Sequence, residues 1–289
     1  MNSTVNISKL HSINPQKPLT VQLTERLSVR LYSDSRPHCM ETSALQKGLV
    51  LMLDNQELIE EGVGFGLPIA KYVDKTYFSS FAEISIEKTS SCCKLKKTYS
   101  LDLISKKLWQ KQTIDDRIYS KWRKAFAKSY LSHKELSPLF NKIMELRAIA
   151  KIKTEFIKVK PRGKISVTYE IQPTTIKVNV DFEDLTLNNC QELLVLNEQG
   201  STTFGEYFDA NKLSLVGSKI GGWDAVAAKR ASLFSTNNQV AFSLQGKSGA
   251  TLFRGWEKTK SRFSWAGLSY SLQPKIGTFD YEIAVDCQE

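Results

Sequence analysis

The chain has 289 residues, 41% hydrophobic and 24% charged, which is enough to bury a sizeable core and too apolar for a disordered polyelectrolyte. Its formal net charge of +10 is concentrated: residues 88–164 hold 21 Lys and Arg against 6 Asp and Glu, and the segments on either side are slightly acidic. Overall basicity therefore does not make the whole surface a polyanion binder, because one segment carries the excess.

Period-2 alternation opens the chain, with Val21-x-Leu23 and then Leu27-x-Val29-x-Leu31. The apolar run from Gly48 to Leu53 is far too short to span a bilayer as a helix. The run Gly62-x-Gly64-x-Gly66-Leu-Pro68 reads as a tight loop needing positive φ and close backbone contact, open to a ligand, with Tyr72, Asp74 and Tyr77 beside it. Alternation resumes at Ala82-x-Ile84-x-Ile86. In the basic segment the pattern changes. Thr113 looks like a helix N-cap, followed by Ile114, Ile118, Trp122 and Phe126 at steps of four, and Ser132-His-Lys-Glu135 is a capping box. Residues 113–150 are expected to form a basic α-helical hairpin inserted in an otherwise β chain. Further strands follow at Ile165-x-Val167-x-Tyr169-x-Ile171 and Ile176-x-Val178-x-Val180-x-Phe182, joined as a hairpin through Pro173 and Thr174, and again at Leu193, Val240-x-Phe242-x-Leu244 and Phe279-x-Tyr281-x-Ile283-x-Val285. In residues 262–272 the apolar parity slips at Ala266-Gly267, which predicts a β-bulge. The expected fold is mainly β, a large curved antiparallel β-sandwich forming a single domain over residues 1–289, since no Pro/Gly/Ser-rich linker divides it.

Chemistry is sparse. The five cysteines (Cys39, Cys92, Cys93, Cys190 and Cys287) are odd in number and scattered, which suits reduced thiols and a cytoplasmic setting. The polar first 18 residues lack a signal-peptide core. With isolated histidines and no Cys-x-x-Cys, no metal and no cofactor is expected. Acids beside aromatic rings suit hydroxyl-rich ligands, because carboxylates hydrogen-bond hydroxyls and rings stack on C–H faces. The candidate acid–base groups are Glu61, Asp74, Glu206 and Asp224, and the candidate binding residues are Tyr72, Tyr77, Trp223, Arg254 and Trp256. An alternative is a nucleic-acid or other polyanion site on Lys121, Arg123, Lys124 and Lys128.

The period-2 strands, the Gly-Val-Gly-Phe-Gly-Leu-Pro68 run leading to Asp74-Lys-Thr-Tyr-Phe78, and the aromatic Phe263-Ser-Trp-Ala-Gly-Leu-Ser-Tyr270 segment resemble the galactose-mutarotase-like super-sandwiches over roughly residues 20–110 and 155–286. That resemblance implies sugar epimerisation, polysaccharide lysis or sugar binding on a concave sheet. A mutarotase uses a histidine and a glutamate, and here His38 and His133 stand outside any family motif. The expectation is thus a carbohydrate or acidic-sugar protein, not bound to a membrane, with its ligand on a concave face.

Overall fold

The computed structural model describes residues 11–12, 18–33, 36–37, 44–60, 62–73, 75–88, 93–109, 112–114, 152–235, 240–258, 264–274 and 277–287. In chain order the strands are β1 (His11–Ser12), β2 (Leu19–Gln22), β3 (Leu27–Leu31), β4 (Arg36–Pro37), β5 (Ala44–Leu45), β6 (Leu49–Leu53), β7 (Gln56–Glu57), β8 (Gly64–Tyr72), β9 (Thr76–Lys88), β10 (Cys93–Trp109), β11 (Gln112–Ile114) and β12 (Ile152–Lys158). They continue with β13 (Lys164–Gln172), β14 (Thr175–Asp181), β15 (Cys190–Gln199), β16 (Glu206–Asp209), β17 (Ser214–Val216), β18 (Gly222–Ala225), β19 (Arg230–Phe234), β20 (Val240–Gln245), β21 (Ala250–Lys258), β22 (Ser264–Leu272) and β23 (Thr278–Cys287). A 3-10 turn, Gly217–Ile220, precedes β18.

Apart from the separate two-stranded sheet of β4 and β5, the strands form one large antiparallel network with two long runs. One runs β2–β3–β6–β8–β15–β22–β21–β18. The other runs β9–β10–β13–β14–β23–β20–β19–β16–β17. The β8–β9 hairpin joins them, pairing Ala70 with Tyr77. The alternating sequences do what their period dictates. Ile165, Val167, Tyr169 and Ile171 of β13 are all buried, and Gln172 pairs with Thr175 across a two-residue turn at Pro173 and Thr174.

The side chains of the two runs meet in a shared core. The rings of Phe65 (β8) and Phe242 (β20) lie 5.0 Å apart edge to face, and Tyr270 (β22) packs the same way on Phe279 and Tyr281 (β23). Each such buried ring stabilises the fold by roughly 1.5–3 kcal/mol. Polar groups caught in this interior find partners: the Tyr169 hydroxyl donates to the Phe65 carbonyl (2.8 Å), and Tyr281 donates to Asn197 Oδ1 (2.8 Å).

Three expectations change. Thr113 and Ile114 do not cap a helix; they extend β11 and pair with Leu108 and Lys107, because the long strand β10 offers backbone partners there. The rest of the expected hairpin, from residue 115 onward, lies outside the described residues. The glycine run is not a loop, since Gly64 and Gly66 belong to β8, a central strand buried on both faces. And β22 has no bulge: its register with β21 is unbroken from Ala250–Leu272 to Lys258–Ser264. Apolar parity slips there because both faces of β22 are covered, so nothing enforces alternation. Bulges occur instead in its neighbours, in β8 at Gly66 opposite Leu196 and Asn197, and in β18 at Trp223. Among the described residues no helix is long and apolar enough to cross a membrane.

Candidate functional site

Five residues on five adjacent strands pair in succession: Gly222 (β18) with Gly255 (β21), Gly255 with Gly267 (β22), Gly267 with Glu198 (β15), and Glu198 with Gly64 (β8). At the usual strand spacing this row crosses roughly 20 Å of sheet. Four of its five members have no side chain, so neighbouring side chains can lie flat on the sheet. Trp265 does so over Gly255, where an added Cβ would come within 2.4 Å of the indole. Glu198 does so over Gly267, where an added Cβ would meet its Cγ at 2.8 Å.

The Trp265 ring stacks on Trp223, with centroids 4.9 Å apart and planes 21° from parallel, and its Nε1–H donates to the Glu257 carboxylate (3.3 Å). Trp223 sits at the β18 bulge with φ of 72°, a backbone setting that re-aims its side chain and that few large residues adopt. Trp265 is almost wholly covered, whereas Trp223 is part-exposed, so Trp265 backs Trp223.

Glu198 is only 5% exposed, and its carboxylate accepts the Val63 N–H (3.3 Å). Burial pushes its pKa up from the ordinary range to about 7; the Val63 hydrogen bond and the charge of Lys47 oppose the rise, and the charge of Glu257 adds to it. A carboxyl group that titrates at neutrality can give or take a proton at little cost. Just past the end of β15, Ser264 donates to the Glu60 carboxylate and lies 2.6 Å from the Ser201 hydroxyl, and Trp256 Nε1–H donates to the Ser201 carbonyl (3.3 Å). Burial raises the pKa of Glu60, against the Thr202 backbone and the charge of Lys258. Among the described residues no group of three or more His, Cys, Asp or Glu is placed to hold a metal ion.

The chain resembles galactose-mutarotase-like proteins. A galactose mutarotase-like protein from Lactobacillus casei ATCC 334 superposes with a TM-score of 0.43 at 10% identity, over 94% of this chain and 100% of that one. The Slr1438 protein from Synechocystis sp. PCC 6803 gives 0.39 at 9% identity, over 99% and 100%. The α-N-acetylgalactosaminidase NagBb from Bifidobacterium bifidum, in complex with GalNAc, gives 0.48 at 5% identity over 93% of this chain; the present chain spans 36% of that enzyme's length. The likenesses are weak, each TM-score lying below 0.5. No family model matches the sequence, and no curated protein sequence matches it.

Of the residues singled out from sequence, Trp223, Asp224, Arg254 and Trp256 come together on β18 and β21. Arg254 is engaged structurally: its Nε–H donates to the Ile220 carbonyl (2.8 Å), its guanidinium lies 5.1 Å from the Tyr207 ring centroid, and Asp224 stands 3.8 Å away. Glu206 is on β16 but pairs with Val216 and Phe234, facing opposite to Tyr207 and therefore away from Arg254. Tyr72 lies at the other end of β8, roughly 25 Å along the strand from Gly64, with Tyr77 beside it on β9. They pack edge to face (5.1 Å), Tyr72 donates to the Thr186 carbonyl (2.6 Å), and Arg162 donates to the Tyr77 oxygen (3.2 Å). Burial pushes the Tyr72 phenol up to about 12. Glu61 and Asp74, and the polyanion candidates Lys121, Arg123, Lys124 and Lys128, lie outside the described residues. Glu198 and Glu257 were not singled out from the sequence. The signal that marks them is glycine inside strand patterns, at positions 255 and 267.

Proposed function

We propose that this protein binds a carbohydrate on the face crossed by the glycine row, with Trp223, backed by Trp265, as the platform for a sugar ring. In this reading the two strand runs form a curved sandwich and the row lies on its concave side. The observation that carries the reading is a carboxyl poised near neutrality, Glu198, lying over Gly267 in the same row where a stacked tryptophan pair lies over Gly255. Rings stack on the C–H faces of sugars, and carboxylates such as Glu257 accept from sugar hydroxyls. Any acid–base step on the bound sugar falls to Glu198, the group whose proton is exchangeable at pH 7.

Titration with neutral mono- and oligosaccharides, followed by tryptophan fluorescence, tests this. A ring stack contributes about 1 kcal/mol or more, so Trp223→Ala should weaken binding at least about fivefold without changing the ligand-free melting temperature by more than a few degrees. Unchanged affinity in Trp223→Ala, or no sugar response in the native protein, removes the proposal.

A further inference from the structure

We infer that the depression beside the tryptophan platform is a subsite for an anionic group, so that the ligand of this protein carries a phosphate, sulfate or carboxylate. The inference borrows from the carbohydrate reading only the identity of the rest of the ligand. The depression, of about 310 Å³, is lined by Val226, Ala228, Lys229, Lys247, Thr251 and Leu252. That volume sits at the lower end of the small-molecule range, which suits one compact group better than a polymer.

The backbone brings the two lysines side by side. The Gly246 N–H donates to the Lys229 carbonyl (2.7 Å), so the turn that carries Lys247 is pinned to the strand entry that carries Lys229. Both lysines are exposed at the rim over a floor that includes buried Ala228 and Leu252. Neither makes an ion pair among the described residues. The sequence supplies no local counter-charge either. Between Asp224 and Glu257 the chain has four bases (Lys229, Arg230, Lys247 and Arg254) and no acid. Of the other two bases, Arg254 is held on Ile220 and Asp224, and Arg230 donates to Ser243 Oγ (2.8 Å), so the lysines are the pair left facing the depression. Two lysines lining a part-apolar hollow favour an anion there, which supplies negative charge and acceptor oxygens. The hollow also adjoins the platform: Val226 follows Trp223 by three residues and donates to the Leu252 carbonyl (2.8 Å), placing the two about 10 Å apart.

The test measures site-resolved lysine acetylation by mass spectrometry in the presence of inorganic phosphate, inorganic sulfate, glucose 6-phosphate, glucuronate or glucose, together with affinities for the same compounds. At least one anion should slow modification of Lys229 and Lys247 severalfold and leave Lys160 and Lys219, exposed elsewhere, unchanged; glucose should protect neither. Lys229→Gln with Lys247→Gln should weaken binding of the protective anion about tenfold or more, while the ligand-free melting temperature stays put. Preference for glucose 6-phosphate over glucuronate identifies a phosphate ligand, and the reverse a carboxylate. Equal reactivity of both lysines with and without every anion, equal protection by glucose, or native affinity in the double variant overturns the inference. The carbohydrate reading fails separately, when phosphate protects the lysines but no sugar perturbs Trp223.

Discussion

Glu198 takes its proton with it into the fold, and this has a consequence for stability. Its folded pKa of about 7 exceeds the ordinary 4.5, so the native state holds the proton more tightly than the unfolded chain does. The group is therefore harmless below pH 4.5, and it costs progressively more stability as pH rises from 4.5 through 7. Above pH 7 the cost levels off at roughly 3 kcal/mol. Glu198→Gln keeps an acceptor for the Val63 N–H and removes the charge. In urea denaturation at pH 8 the variant should be more stable than the native protein by about 2–3 kcal/mol, and at pH 4.5 nearly equal to it. The same difference at both pH values would show that Glu198 is ionised at neutrality in the native protein and is no acid–base group. Trp223 follows a different logic, since its left-handed backbone is strained for any non-glycine residue. Trp223→Gly should relieve that strain while deleting the platform, so stability and sugar affinity should move in opposite directions, by calorimetry and titration respectively.

At the scale of elements, the glycine row and the β8 bulge govern where those side chains go. An alanine Cβ at 255 would strike the Trp265 ring, whereas at 222 it would meet nothing within 4 Å. Gly255→Ala should displace the indole, change the near-UV circular dichroism of the Trp223–Trp265 pair and cost about 1–3 kcal/mol, and Gly222→Ala should do neither. Gly66, with φ of 77°, donates its N–H to Asn197 Oδ1 (3.0 Å), and a Cβ there would sit 2.7 Å from the Tyr169 hydroxyl. Gly66→Ala should therefore cost about 2–4 kcal/mol in denaturation midpoints. Strands such as β13, β14 and β23 were legible in the sequence because one face of each is buried and the other is not, so a period of two appears. Strand β8 was not, because burial on both faces erases the alternation; its glycines then read as a loop, although their positive φ and close contacts were rightly anticipated. Strand β22 was read as a strand, but its lost alternation, also a result of burial on both faces, was taken for a bulge. Of the proposed platform, the sequence singled out Trp223, which the β18–β21 pairing sets near Asp224 and Arg254. Glu198 escaped because its place beside Gly64 and Gly267 arises from pairings with strands far away in sequence, β8 and β22.

Across the whole molecule, the basic segment contributes both to the core and to the surface. Lys97 in β10 is fully buried, donating to the carbonyls of Tyr32 (2.6 Å) and Lys47 (2.7 Å) with its ammonium 5.1 Å from the Tyr99 ring centroid. Its charge serves packing and is closed to a polyanion. At the far end of β10, Ile114 and Thr154 both pair with Lys107, so the chain leaves and rejoins the sheet about two strand spacings apart. Replacing residues 115–151 with a short Gly/Ser linker should leave the melting transition within a few degrees of native, and should abolish salt-sensitive heparin binding if Lys121, Arg123, Lys124 and Lys128 carry it. A collapsed transition would mean that this segment completes the core. A crystal structure of the protein with a bound saccharide tests the sugar platform at Trp223 beside Glu198. A pyranose ring is expected stacked on Trp223, with a hydroxyl within hydrogen-bond distance of Glu257 or Glu198. A saccharide seated elsewhere, with the glycine row vacant at saturating ligand, would contradict it.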